Sequence, residues 1–313
     1  MALNGFFLLI GLTMLFLGSD WLVRGASNLA FSLSIRPIVI GLTVVAFATS
    51  APELLVSLVA AAKGSSGVSV GNILGSNVIN IALVLGSSAL VKPLKINKKI
   101  VSKELPYMIG ASFLFWFLCL DGKIGRTDGL ILLGVLAVFI IYGIMTARDI
   151  RKEREQIEKP SLKNYAFNGF LILTGLICLG KGADFVVNSA VFIARSFGFS
   201  ELFIGLSIVA FGTSLPELAT SVVAVSKDES DISLGNVVGS NLFNICMVMG
   251  TVGLLNPISI DSSLNRFEFP AMLFLSCLLL IFARSGYKIN RSQGLIFILS
   301  FFLYVGGSYW MVR

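Results

Sequence analysis

The chain has 313 residues, of which 56% are hydrophobic and only 13% charged, and its net charge is +7. A typical soluble domain carries about 25% charged residues, and no water-soluble fold of this length could hide so much apolar surface. Composition therefore excludes a cytosolic globular enzyme, a disordered chain and a secreted disulfide scaffold, and points to a polytopic membrane protein.

Apolar runs predict spans near residues 4–24, 37–62, 68–91, 105–120, 127–147, 166–187, 201–226, 231–255, 268–284 and 292–312. The expected fold is an all-α polytopic membrane protein with ten transmembrane helices. Lipid offers no partner to free backbone groups, and the runs lack the alternation of barrel strands. The opening MALNGFFLLI has no basic n-region and no small-residue cleavage site, so it is predicted to be a retained first span. The segment RDIRKEREQIEKPSLK, residues 148–163, is the one strongly polar stretch and reads as a solvated linker. It separates a first domain, 1–147, from a second, 164–313.

Sixteen of the 24 Lys and Arg residues fall on the side that holds residues 92–103, 148–163 and 284–291, and six on the other. Arg24 and Lys181 lie within or beside spans. The positive-inside rule puts the richer side in the cytoplasm and both termini outside the cell membrane. Basic residues between apolar runs are topology signals, so no nucleic-acid partner is expected. Histidine is absent, which removes His ligands and His proton relays. Cys119, Cys178, Cys246 and Cys277 lie in apolar runs without a CxxC pair and read as packing residues.

The halves repeat at an offset of 164 residues. IGLTVVAFATSAPE (40–53) matches IGLSIVAFGTSLPE (204–217) at 10 of 14 positions, and GNILGSNVINI (71–81) matches GNVVGSNLFNI (235–245) at 7 of 11. Asp20 and Asp184 keep the same offset. Five spans per half is odd, so the second half must insert upside down. Inverted repeats with interrupted helices are a transporter signature, with the site near mid-membrane.

Glu53 and Glu217 lie deep in apolar runs, where a carboxylate costs about 3 kcal/mol even on mild insertion scales. A cation, a proton or a buried partner must offset that cost, and neither span supplies a Lys or Arg. Pro52 and Pro216 precede the glutamates and each removes one backbone donor. Each helix is expected to break there, displacing Ala51 and Leu215 from helical geometry and freeing the Ala48 and Gly212 carbonyls. Thr49 and Ser50 share a helix face with Glu53, as Thr213 and Ser214 do with Glu217. Asn72, Ser76 and Asn80 form one stripe, and Asn236, Ser240 and Asn244 another. These groups offer oxygen alone. That suits Ca²⁺, which takes about 6–8 oxygens, or several Na⁺, and serves Zn²⁺ or Cu⁺ poorly. Asp20 and Asp184 either bridge near the membrane surface, with Arg24 and Lys181 as partners, or line an ion path.

TSAPE (49–53) with GNILGSN (71–77), and GTSLPE (212–217) with GNVVGSN (235–241), resemble the two alpha-repeats of the cation/Ca²⁺ exchanger superfamily. The resemblance covers essentially the whole chain. It implies two inverted five-helix halves, alternating access, and Na⁺ entry driving Ca²⁺ out. By matching position, the ion ligands would be Glu53, Glu217, Thr49, Ser50, Thr213, Ser214, Ser76, Asn80, Ser240 and Asn244. Three departures stand out. Ala48 replaces a usual glycine, Asn244 stands where some microbial relatives have aspartate, and the 148–163 loop is too short for calcium-sensing domains. The chain resembles the compact prokaryotic form.

The expected function is a Na⁺/Ca²⁺ antiporter in the lipid bilayer, not an enzyme, with no cofactor beyond its transported ions. This reading needs no partner chain and allows a functional monomer. Ca²⁺/H⁺ exchange, or K⁺-dependent Na⁺/Ca²⁺ exchange, is the alternative within the class. An intramembrane aspartyl protease built on Asp20 and Asp184, and a passive channel, are the alternatives outside it.

Overall fold

The computed structural model describes residues 2–33, 35–153, 162–197 and 210–312. The middle of the predicted linker and the start of the predicted seventh span lie outside the described residues. The helices are α1 (Ala2–Ser32), α2 (Pro37–Thr49), α3 (Ala51–Ala62), α4 (Ser66–Val91), α5 (Ile100–Asp121), α6 (Arg126–Glu153) and α7 (Leu162–Ser196). They continue with α8 (Ala210–Thr213), α9 (Leu215–Ser226), α10 (Ser230–Leu255), α11 (Ser262–Arg284) and α12 (Arg291–Val312). Among the described residues, seven helices are long and apolar enough to cross a membrane, or eight with the bent pair α2–α3 counted as one span.

The protein is built inside out for water. Phe16, Phe117 and Leu303 are more than half exposed on its flanks, as a lipid-facing surface requires. At the centre lie α4 and α10, and 89% of the apolar stretch of α10 is buried. All four cysteines are free. Helix α6 continues to Glu153, past the expected end at 147, because the Arg, Lys and Glu that make this stretch polar are also good helix formers.

Both proline motifs break a helix, one residue earlier than expected. Ser50 has φ −80° and ψ 2°, Ser214 has φ −90° and ψ 5°, and α2 and α3 meet at a bend of 42°. Ala51 and Leu215 are not displaced; each is the first helical residue after the break. Pro52 and Pro216 therefore sit in a first turn, where a missing N–H costs little. The non-helical geometry is passed back to the serine. Wide π-helical turns at Asn80–Leu85 and Phe243–Met249 interrupt α4 and α10. Such turns are frequent at functional sites.

Contacts occur in reciprocal pairs related by the repeat offset. Added Cβ atoms at Gly11 and Gly18 of α1 would meet the carbonyl oxygens of Gly182 and Gly175 at 2.8 Å. Residue numbers fall along α7 as they rise along α1, so the two equivalent helices run antiparallel. At Gly86 an added Cβ would meet the Gly294 oxygen at 3.0 Å, and at Gly129 the Gly250 oxygen at 2.6 Å. Gly250 is Gly86 moved by 164 residues, and Gly294 is Gly129 moved by 165. Two short antiparallel ladders follow the same exchange: β1 (Leu94–Lys95) pairs with β4 (Lys288–Ile289), and β2 (Lys123–Ile124) with β3 (Ile258–Ser259).

Candidate ion-binding site

The proline breaks place the start of α3 and the start of α9 against the middle of α4 and α10. Glu53, in the first turn of α3, lies against Thr213, Ser214 and Ser76. Glu217, in the first turn of α9, lies against Thr49 and Ser240, and the two carboxylates interact with each other. Each glutamate thus faces hydroxyls of the opposite half as well as its own. Thr49 lies 3.2 Å from Ser240, whose hydroxyl reaches Glu217 Oε1 at 3.5 Å.

Glu53, Glu217, Ser50, Ser214, Ser240, Asn80 and Asn244 are fully buried, and Thr49 and Ser76 nearly so; Thr213 is half-buried. Burial of this kind is ordinarily matched by hydrogen bonding. Here both Glu53 oxygens, Glu217 Oε2, Ser50 Oγ, Ser76 Oγ, Ser214 Oγ, Asn80 Oδ1 and Asn244 Oδ1 meet no hydrogen-bond partner at bonding geometry among the described residues. A desolvated carboxylate without a donor is costly. These unpartnered oxygens gather around the two carboxylates. Among the described residues, no group of three or more His, Cys, Asp or Glu side chains is placed to hold a metal. A cation here would rely on neutral hydroxyl and amide oxygens beside two carboxylates.

Asparagines support the glutamates from behind. Asn72 Nδ2 donates to Ser57 Oγ at 3.0 Å and to the Glu53 carbonyl at 3.4 Å. Asn236 does the same with Ser221 at 2.9 Å and the Glu217 carbonyl at 3.3 Å, and accepts from Thr49 at 3.1 Å. Asn77 and Asn241 belong to this hydrogen-bonded network too, and the stripe argument missed them. They sit one position beyond Ser76 and Ser240, off the stripe, and bind Asn244 and Asn80 respectively. Their signal in the sequence was the repeated GSN triplet.

The aspartates of α1 and α7 lie elsewhere. Asp20 pairs with Arg24 at 2.9 Å and also with Lys227, so it bridges. Lys181 and Asp184 form no ion pair among the described residues. The α1–α7 register puts Asp20 level with Leu173, eleven residues from Asp184, or about 16 Å along the axis. Two aspartates so far apart cannot share a proton as a protease dyad does.

Residues 4–145 and 167–310 match the family described as Sodium/calcium exchanger protein. The chain is 38% identical over 307 residues to the putative antiporter CaxA of Alkalimonas amylolytica, covering 95% of this chain and 96% of that protein. It is 36% identical over 313 residues to the inner membrane protein YrbG of Escherichia coli strain K12, covering 97% and 96%. Its fold matches the solved sodium/calcium exchanger from Methanococcus jannaschii with a TM-score of 0.85 and 31% identity, covering 97% of this chain and 98% of that one. The family consists of exchangers, not enzymes, which removes the protease alternative. This multi-pass membrane chain belongs to the sodium/calcium exchanger protein family.

Proposed function

We propose that the protein is a secondary active antiporter that exchanges Na⁺ for Ca²⁺ at one oxygen-lined site shared by the two ions. The observation that carries this reading is the pair Glu53 and Glu217, buried together among unpartnered side-chain oxygens. Two negative charges balance one Ca²⁺, or several Na⁺ held partly by neutral oxygens. One cage of this charge binds either load, so the ions compete and their fluxes couple. Thr49, Ser50, Thr213, Ser214, Ser76, Asn80, Ser240 and Asn244 complete the ligand set.

The proposed architecture is ten spans in two inverted halves, 1–147 and 164–313, joined by a cytoplasmic linker. The antiparallel run of α1 and α7, the reciprocal glycine contacts and the exchanged strand ladders support inversion. Charge supports the orientation, with both termini outside. Lys95 and Lys288 are opposite in one ladder, and Lys92 meets Asp228 at 2.5 Å; both lysine clusters belong to the side assigned to the cytoplasm. Alternating access then arises as α1 and α7 shift against the core. The relative named as an inner membrane protein supports the same location.

Gradient-driven Ca²⁺ uptake into vesicles of purified protein tests the function. An outward Na⁺ gradient is expected to drive uptake, with pH and K⁺ gradients ineffective. Uptake driven by a pH gradient alone would transfer the assignment to Ca²⁺/H⁺ exchange, and an absolute requirement for K⁺ to K⁺-dependent exchange.

A further inference from the structure

We infer that Asn77 and Asn241 are positioning residues that force Asn80 and Asn244 to present oxygen, not nitrogen, to the ion, with Met272 and Met108 as their anchors. The inference rests on the ion site proposed above.

An asparagine ends in one acceptor oxygen and one NH₂ donor of nearly the same shape. Only its partners decide which faces where. For a cation site the choice matters, because an NH₂ turned inward would repel the ion. Asn80 and Asn244 are fully buried, and each has an unpartnered Oδ1. Their NH₂ groups are engaged: Asn80 Nδ2 donates to Asn241 Oδ1 at 3.1 Å, and Asn244 Nδ2 donates to Asn77 Oδ1 at 3.2 Å. That bond works only if the second asparagine also points its oxygen inward.

The second asparagines are held that way by groups that can only accept. Asn241 Nδ2 lies 3.5 Å from the main-chain oxygen of Asn77 and 3.8 Å from Met108 Sδ. Asn77 Nδ2 lies 3.6 Å from Met272 Sδ. A carbonyl oxygen and a thioether sulfur have no hydrogen to give. Each therefore selects the NH₂ end of its asparagine, which turns Oδ1 to the next residue, which turns that residue's Oδ1 to the site. Met272 is Met108 moved by 164 residues, so both halves carry the same relay, each crossing to the other half. A leucine at either methionine would fill the space but select nothing.

The test is Ca²⁺ titration calorimetry on purified protein, with size-exclusion elution as the gauge of folding. Asn241→Leu is expected to raise the Ca²⁺ dissociation constant about tenfold or more, in line with loss of an outer-shell partner. A carboxylate has two equivalent oxygens, so orientation ceases to matter in the Asn80→Asp background. There Asn241→Leu is expected to change the constant less than about twofold. An equal loss in both backgrounds would show a packing role only and overturn the inference. The mirror pair, Asn77→Leu with and without Asn244→Asp, must behave alike. Should either leucine variant fail to fold, Met108→Leu and Met272→Leu decide, since they keep volume. A rise of about two- to threefold supports the anchors, as expected for a weak acceptor, and no change overturns them. Asn80→Ala and Asn244→Ala separate the two levels of the argument. If both leave Ca²⁺ binding intact, the ion site itself is wrong; if they weaken it while Asn241→Leu and Asn77→Leu do not, only the relay is wrong.

Discussion

Thr49 donates to Asn236 Oδ1 at 3.1 Å, across 187 residues of sequence. The same Asn236 donates to the Glu217 carbonyl, so a hydroxyl from one half props the acidic helix of the other. Thr49→Val keeps the shape and deletes the hydroxyl. It leaves a buried amide oxygen unpaired, which costs about 1–3 kcal/mol, and removes one candidate ion ligand. Expected results are a lower melting temperature without Ca²⁺ and a half-saturating Ca²⁺ concentration raised about tenfold in the flux assay. Thr49→Ser should restore most of both. Unaltered binding and melting in the valine variant would dissociate Thr49 from the site.

Removing either carboxylate should separate transport from stability. Glu53→Gln and Glu217→Gln are nearly isosteric, and each removes a fully buried carboxyl group that is costly to ionise without a bound cation. Without Ca²⁺ both variants should melt at or above the parent temperature. The parent should gain stability from bound ion, about 2.7 kcal/mol at a hundredfold excess over the dissociation constant. The variants should lose that gain together with Ca²⁺ uptake. Differential scanning fluorimetry with and without Ca²⁺ reads both quantities, and retained uptake in either variant contradicts the proposed cage.

The glutamates were legible because cost and repetition coincide: a carboxyl in an apolar run demands a reason, and two at one offset demand the same one. The helix breaks were legible for the same reason, since proline chemistry is local. Which residue would yield was not. Ala51 and Leu215 kept helical geometry because a proline in a first turn fits there, and the departure moved to Ser50 and Ser214. The α6 extension to Glu153 was hidden because polarity marks the end of a span, not the end of a helix. Asn77 and Asn241 were missed because a face-by-face count follows one helix, while their partners come from another. The Asp20–Lys227 pair was unreadable for a simpler reason: Lys227 is 207 residues away, and only Arg24 shares a face with Asp20 in sequence.

That pair belongs to an asymmetry between the halves. In its C-terminal half α1 is fastened to the α9–α10 turn, through Asp20 with Lys227 and Ser27 with Glu229. The positions equivalent to Lys227 and Glu229 are Lys63 and Ser65, where Lys63 is exposed and forms no ion pair among the described residues. Glu229→Gln weakens a hydrogen bond to a charged group, worth about 1.5–3 kcal/mol. Amide hydrogen exchange over residues 24–32 should accelerate at least about tenfold, with residues 3–10 unaffected. Equal protection in parent and variant would show that the fastening does not hold the helix.

Gly175 and Gly180 offer a controlled comparison on one helix. A Cβ at Gly175 would lie 2.7 Å from the Gly18 oxygen and 2.8 Å from the Leu22 nitrogen, whereas at Gly180 it would meet nothing within 4 Å. Both sit inside α7, where alanine is the better helix former by about 1 kcal/mol. Gly180→Ala should therefore be neutral or slightly stabilising. Gly175→Ala must push α1 and α7 apart at backbone level, where no side chain can move aside, and overpacking of this kind costs about 1–3 kcal/mol. If α1 and α7 move as one unit against the core, the substitution should also slow Na⁺-driven Ca²⁺ uptake more than it weakens Ca²⁺ binding, because the contact lies away from the ion. Equal melting temperatures for the two alanine variants would mean that close backbone approach does not hold this pair together. A matched loss of uptake and affinity would mean that the pair acts on the site directly.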